Sequence, residues 1–216
     1  MEKTIKTKVV VASRQEKPKA SRAIDAAVKA LETGGLVIIP TETTYGIAAD
    51  ATNPEAVKRV FELKGREHTK ALPIIVGDIN IAAEHLSLTD TAITLSRAFH
   101  PGPLNIILDR KPDGALAQEV GSEGVAFRIS SNYFAGMVAG RFGKPITATS
   151  ANLSGQPAIY ESFPVREAFG GKVEVFLDVG TLLQNPPSTT IDARTNPPKM
   201  IREGQIKLAE ILGALK

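Results

Sequence analysis

The stretch from Pro40 to Gly46 places three threonines, a carboxylate and a tyrosine directly after the apolar run from Leu36 to Ile39. Because Pro40 has no N–H to donate to a sheet ladder, we expect a strand to end there and the hydroxyl groups to lie in the following loop. Loops at strand ends often carry ligand-binding groups in α/β scaffolds. Taken alone, the stretch is explained better as a turn of β-favouring residues.

Three spaced cations follow about twenty residues later, at Lys64, Arg66 and Lys70. An arginine fork with two ammonium groups suits a polyphosphate. A solvated helix C-terminus, where the dipole already favours cations, is the simpler explanation of any one of them. Together with the hydroxyl groups, the cations predict a site for an anionic, phosphate-bearing substrate.

Two further segments have the same polar character. Residues 147–155 run from a strand end into small polar residues and a glycine, whose amides and hydroxyls can line a phosphate or amino-acid site. A plain Ser/Asn turn remains an alternative. Residues 188–192 combine Ser, Thr and Ile and are followed by Arg202; an edge strand with this arginine in a surface pair explains them equally well.

Several common chemistries are excluded. The sequence contains no phosphate-loop, dinucleotide-binding or nucleophile-elbow motif. Its three histidines are far apart, so we expect no metal site in the protein. The absence of cysteine excludes disulfides and thiolate nucleophiles and is compatible with a reducing compartment. No apolar run approaches the length of a membrane span, and we expect a cytoplasmic protein without membrane contact.

The net charge of +3 is unevenly distributed along the 216 residues. Residues 1–22 hold seven Lys or Arg and two acidic residues, and the remaining 194 hold 19 basic and 21 acidic residues. The basicity therefore belongs to an N-terminal arm over about residues 1–22. A solvated arm is the simpler interpretation, and an arm that touches RNA is the alternative.

Alternating strand and helix patterns must position these groups. Helices are predicted from a Ser21 cap to Gly34, from an Asn53 cap through Lys64, and over 89–99, 133–142, 165–169 and 206–215. Strands are predicted at 5–12, 36–39, 72–76, 104–108, 125–129, 146–148 and 173–177. This order predicts an α/β fold with a twisted, open, mixed sheet, because several connections are too short for helical crossovers.

Seven collinear pieces of the chain resemble the YrdC family of threonylcarbamoyl-AMP synthases in its short, TsaC-like form. They are residues 40–46, 64–66, 101–104, 127–129, 150–155, 188–192 and 202–204. The resemblance implies one domain over residues 1–216, with flanking helices around a deep basic cavity and no additional C-terminal domain. It differs from the usual family pattern at Thr44, Glu67, Ser130, Thr149 and Pro187, which flank the ligand positions.

The resemblance also implies an activity. Such enzymes join L-threonine, bicarbonate or CO2, and ATP with Mg²⁺ into threonylcarbamoyl-adenylate and release pyrophosphate. The product feeds a downstream threonylcarbamoyl-transferase machinery that modifies position 37 of tRNA.

The family pattern also assigns residue roles. Lys64 and Arg66 are the expected catalytic cations. The expected nucleotide contacts are Arg66, Lys70, Ser150, Asn152 and Arg202. The expected threonine contacts are Thr43, Arg128 and Ser188, with Arg128 as a bidentate partner of the carboxylate.

Two other classes of function remain as alternatives. One is an RNA-binding or ribosome-assembly module that uses the basic cavity without catalysis; an aromatic fraction of 5% with no tryptophan offers few stacking platforms for it. The other is the carbamoyl-transfer module of hydrogenase maturation. Its cysteine-rich zinc segments have no counterpart in a chain without cysteine.

Overall fold

The structure, a computed structural model of the chain, describes residues 5–67, 71–122 and 124–216. In chain order the strands are β1 (Lys8–Val11), β2 (Val37–Pro40), β3 (Tyr45–Ala48), β4 (Ile74–Ile75), β5 (Leu104–Leu108), β6 (Val125–Arg128), β7 (Ile146–Thr147), β8 (Thr149–Ser150), β9 (Val175–Asp178), β10 (Thr189–Asp192) and β11 (Lys199–Arg202). The α-helices are α1 (Lys17–Glu32), α2 (Pro54–Lys64), α3 (Ile79–His85), α4 (Asp90–Phe99), α5 (Tyr133–Phe142), α6 (Ser162–Phe169) and α7 (Leu208–Ala214).

The expected mixed α/β class is confirmed, but the strands are divided between two sheets. The first sheet has the order β1-β9-β2-β3-β8, with β1, β9 and β2 parallel and the other pairs antiparallel. The second has the order β11-β10-β5-β6-β4-β7, with parallel pairs β10–β5 and β4–β6. The tight turn between β2 and β3 produces one of the antiparallel pairs, because it leaves no room for a crossover helix.

Helix α2 follows its sequence pattern closely. The Asn53 side chain accepts from the backbone N–H groups of Glu55 and Ala56 at 3.1 and 3.2 Å, and a proline occupies the first turn. Gly65 ends the helix in the left-handed region at φ +57°, where a glycine carries no Cβ penalty. The cap and the terminator together fix where Lys64 and Arg66 leave the helix.

Other predictions need correction. Helix α1 begins at Lys17, four residues before the expected Ser21 cap, because Pro18 suits the first turn. The hydroxyl of Ser21 donates instead to Asp25, one turn later. The strand predicted at 5–12 is confirmed over Lys8–Val11, where β1 pairs with β9 along its whole length.

Hydrophobic packing joins the two sheets. The larger buried cluster includes Ile38 and Tyr45 from the first sheet and Ile106 and Phe127 from the second. Tyr45 was expected in the binding loop, but it lies in β3, where its hydroxyl donates to Gly180 O at 2.8 Å. Burial raises the pKa of this tyrosine to about 12. Within the described ranges, no helix is long and apolar enough to cross a membrane.

Candidate active site

One polar cavity has as its floor a row of side chains across the second sheet. In register from β11 to β6, the row is Arg202, Thr190, Asn105 and Arg128. The direct pairs are Thr190 with Arg202 and Thr190 with Asn105, while Arg128 donates to Asn105 from the next strand. All four line a cavity of about 580 Å³. The opposite face of the same strands is apolar and packs into the core, so the polar row is held on a rigid support.

A threonine turn forms one wall of the cavity. The Thr41 hydroxyl accepts from the N–H groups of Thr43 and Thr44, both at 3.2 Å, and donates to Thr44 O at 2.6 Å. The Thr44 hydroxyl donates to Ile159 O at 2.7 Å and ties the turn to the facing loop. Thr43 lines the cavity, and Thr41 supplies the local hydrogen bonds that keep it there.

Gly46 on β3 and Ser150 on β8 also line the cavity, and they are paired across the first sheet. The loop after Ser150 is fixed by Lys64, whose ammonium donates to Ser150 O at 2.5 Å and to Asn152 O at 2.6 Å. Burial, and secondarily the charge of Arg66, lower the pKa of Lys64 to about 8. Lys64 therefore lies behind the wall, while its neighbour Arg66 lines the cavity.

Asn152 supports the same loop. Its Oδ1 accepts from the Ser150 hydroxyl at 2.5 Å, and its Nδ2 donates to Gln156 O at 2.5 Å and to Leu153 O at 3.2 Å. The side chain lies beside the cavity and does not line it. In the structure Asn152 thus shapes the loop that presents Ser150.

Arg66 lies just beyond the left-handed Gly65 and lines the cavity. Its Nη2 donates to Ala71 O at 2.9 Å, and burial lowers the pKa of its guanidinium. The remaining expected cation of this cluster, Lys70, lies outside the described residues.

Arg128 is the most buried of the three arginines that line the cavity. Its Nε lies 3.0 Å from Glu42 Oε1, and its Nη1 donates to Asn105 Oδ1 at 3.3 Å. The other carboxylate oxygen of Glu42 accepts from the Ser130 hydroxyl. Burial lowers the pKa of Arg128, and the Glu42 charge opposes that shift.

Arg202 and Ser188 meet at the far end of the floor. The Nε and Nη2 atoms of Arg202 donate to Ser188 O at 3.2 and 2.9 Å, and both residues line the cavity. The structure therefore brings six expected site residues to one cavity: Thr43, Arg66, Arg128, Ser150, Ser188 and Arg202. It places the two expected residues Lys64 and Asn152 directly behind its wall.

Sequence reasoning missed Asn105 and assigned no individual role to Thr190 or Glu42. Asn105 is the polar interruption of the buried apolar strand Leu-Asn-Ile-Ile-Leu, a pattern that could have indicated a site. Glu42 was visible in its motif, but its partner Arg128 is 86 residues away in sequence. Only the fold brings these two together.

The electrostatics of the cavity favour anions. Three guanidinium groups line it, and the described lining residues include no carboxylate. In the described part of the chain, no group of three or more His, Asp or Glu side chains could hold a metal ion. The residues thus suit a ligand with several negative charges, such as a phosphate chain or a carboxylate.

The fold and the cavity define an α/β protein with an arginine-lined cavity that suits anions, and comparisons identify its family. The model of the Sua5_yciO_yrdC family, described as "Telomere recombination", matches residues 29–204. The chain belongs to this family.

Curated relatives from several organisms carry the name threonylcarbamoyl-AMP synthase. The protein of Pyrococcus abyssi is 35% identical over 184 residues, which cover 84% of this chain and 54% of the relative. That of Vibrio campbellii is 31% identical over 180 residues, covering 82% of this chain and 96% of the relative. The chain thus spans about half of the first relative and nearly all of the second.

A solved structure supports the same grouping. P. abyssi Sua5 complexed with L-threonine superposes with a TM-score of 0.88 at 32% identity. The match covers 97% of this chain and 61% of that structure.

Proposed function

We propose that this protein synthesises L-threonylcarbamoyl-adenylate from L-threonine, bicarbonate or CO2, and ATP, with release of pyrophosphate. The observation that carries the proposal is the convergence of Arg66, Arg128 and Arg202 on one cavity beside the hydroxyl-rich turn of Thr43. Relatives named threonylcarbamoyl-AMP synthase and a related structure that binds L-threonine support it.

The substrates have complementary places on the cavity floor. Arg128 pairs with the carboxylate of threonine, and Thr43 and Ser188 bind its polar groups. Arg66 and Arg202, together with Ser150, hold the phosphates of ATP. The sheet keeps the threonine-binding residues apart from the phosphate-binding residues, because Arg128 and Arg202 occupy opposite ends of one four-residue row.

The reaction then proceeds in two bond-forming steps. The deprotonated amine of threonine attacks CO2 with loss of a proton, or bicarbonate with loss of water, and forms a carbamate. A carbamate oxygen attacks the α-phosphorus of ATP, the bond from that phosphorus to the bridging oxygen breaks, and pyrophosphate leaves with the electron pair. Because no protein nucleophile is needed, catalysis consists of placement and electrostatic stabilisation.

The cations divide this work. Arg66 contacts the phosphates directly and neutralises charge on the departing pyrophosphate. Lys64 adds a positive charge from behind the wall and fixes the Ser150 loop through two short hydrogen bonds. Lys70, which we also expect at the phosphates, completes the set.

Mg²⁺ enters as part of the substrate, bound to the phosphates of ATP. The lining residues that the structure describes offer hydroxyl and amide oxygens but no carboxylate cage, which suits an ion that keeps most of its water ligands. The product serves tRNA threonylcarbamoylation at position 37 through a downstream transferase, and we propose that this takes place in the cytoplasm.

The test is pyrophosphate release from ATP with threonine and bicarbonate omitted in turn. We expect release to require both, and Arg128→Ala to abolish it. Turnover of ATP that ignores threonine would contradict the synthase. Absence of turnover together with tight, salt-dependent RNA binding would support the RNA-binding alternative instead.

A further inference from the structure

Asn105 is a buried polar side chain on the floor of the cavity. It is 4% exposed, and its strand neighbours Leu104 and Ile106 point into the core. A buried amide is retained at such a position only where its polar groups have partners. The amide of Asn105 therefore needs hydrogen-bond partners on the cavity side.

Its present partners satisfy it weakly. The Oδ1 atom accepts from Arg128 Nη1 at 3.3 Å, and Nδ2 donates to Thr190 Oγ1 at 3.4 Å. Both contacts are longer than the usual 2.9–3.0 Å or so of an N–H···O bond. The amide carries two N–H donors, and this pattern engages only one of them, so donor capacity remains on the cavity side.

The position of Asn105 in the row is as informative as its chemistry. Adjacent strands lie about 4.8 Å apart, so Arg128 is one strand away on one side and Arg202 is two strands away on the other. On the proposed function, threonine's carboxylate lies at Arg128 and the phosphates lie toward Arg202. The new carbamate must form between them, over Asn105 and Thr190.

We propose that Asn105 is a catalytic residue whose Nδ2 donates to the carbamate oxygen that does not attack phosphorus. This inference rests on the proposed function and adds a contact to the reacting atoms. A neutral donor suits this place, because it stabilises the carbamate without neutralising the oxygen that must attack. Thr190 orients the amide by accepting its second N–H.

A purely structural role for Asn105 has a different signature. If it only held Arg128, its loss would weaken threonine binding and raise the KM for threonine. A contact made chiefly in the transition state instead lowers kcat and leaves both KM values nearly unchanged.

The experiment compares Asn105→Leu, which keeps the volume, and Asn105→Ala with the wild type in threonine-dependent pyrophosphate release. We expect kcat to fall about 100- to 1000-fold, as for loss of one donor to a developing charge, with KM for threonine and ATP within about threefold. Calorimetric threonine binding should persist in both variants. Asn80→Ala, an exposed asparagine on α3, is the matched control and should retain wild-type kinetics.

Each other outcome counts against the proposal. A raised KM for threonine with unchanged kcat would reduce Asn105 to a positioning residue for Arg128. Wild-type kinetics in both variants would show that Asn105 has no role in the reaction. A wild-type protein without threonine-dependent release would overturn the proposed function itself, and this inference with it. Urea unfolding of each variant separates loss of kcat from loss of fold.

Discussion

Arg128 Nε and Glu42 Oε1 lie 3.0 Å apart, with side chains that are 5% and 11% exposed. The two atoms face each other without the geometry of a hydrogen bond, and Ser130 holds the other carboxylate oxygen. Burial alone works against the charge of Arg128, and Glu42 works in its favour. Glu42, which is not among the described lining residues, therefore keeps a cation in place on the cavity floor.

Replacing Glu42 by Gln should destabilise the protein strongly. The variant leaves the Arg128 charge buried without its counter-ion, and breaking such a pair costs about 3–5 kcal/mol. Urea unfolding measures the loss. The double variant Glu42→Gln/Arg128→Met should lose less than the sum of the two single variants, because it removes the uncompensated charge. Additive losses would show that the pair is not coupled.

Replacing Arg128 by Lys should impair threonine binding while sparing ATP binding. An ammonium group cannot reproduce the fork that pairs with a carboxylate. We expect the Kd for threonine to rise about 30-fold or more, within the 2–5 kcal/mol typical of a buried charge contact. Calorimetry with each substrate separately measures the effect. Arg97→Lys, an exposed arginine on α4, is the control. Equal weakening of both substrates would contradict this placement of threonine.

The pH profile should report Lys64. Its pKa of about 8 lies below the ordinary value of 10.5, so the ammonium charge is lost above pH 8. We expect kcat/KM for ATP to decline there, about tenfold per pH unit once the amine is neutral. In Lys64→Arg, which stays charged, the decline should disappear even if the overall rate is lower. If the decline persisted unchanged in Lys64→Arg, it would come from the titration of another group.

Protein stability should follow the opposite trend in that window. Between pH 8 and 10.5 the unfolded chain binds more protons at Lys64 than the folded chain does. The contribution of Lys64 to the free energy of unfolding therefore rises with pH there. Urea unfolding of the wild type and of Lys64→Arg across this window would show the difference. Titration of Lys64 is thus not expected to unfold the protein above pH 8. A loss of rate there should therefore not come from unfolding.

Gly46 should matter for ligand binding more than for folding. An added Cβ would meet Thr149 O at 3.4 Å and Thr41 Cγ2 at 3.5 Å, which are ordinary contacts. Gly46→Ala should therefore fold with little change in Tm. Because the methyl group enters the cavity opposite Ser150, we expect KM for ATP to rise about tenfold, or ~1.4 kcal/mol. Gly213→Ala, in open space on α7, is the control; equal kinetics in the two variants would contradict this view.

Local chemistry made parts of the fold predictable. The Asn53 cap, the proline after it and the terminating Gly65 defined helix α2 without tertiary information. The short strand β8 and the division into two sheets were not predictable in this way. Two-residue strands have no detectable period, and which strands pair depends on contacts far apart in sequence.

The candidate site likewise has parts that the local sequence predicts and parts that depend on contacts far apart in sequence. Arg66 and Arg202 were selectable because cations beside hydroxyl-rich segments suggest an anionic substrate, whereas Arg128 was assigned only through the family resemblance. The position of Lys64 behind the wall, and the row that joins Asn105 to Arg128, depend on strand register. Residue types therefore indicated the chemistry, and the sheet determined which side chains can touch substrate.

The central claim is tested most directly by following the carbon of ¹³C-bicarbonate. The protein is incubated with it, L-threonine and Mg²⁺–ATP, and the nucleotide products are identified by mass spectrometry. We predict an adenylate that carries threonine and one ¹³C atom, formed in equal amount with pyrophosphate. An unlabelled threonyl-adenylate, or pyrophosphate without any ¹³C-containing adenylate, would contradict the account.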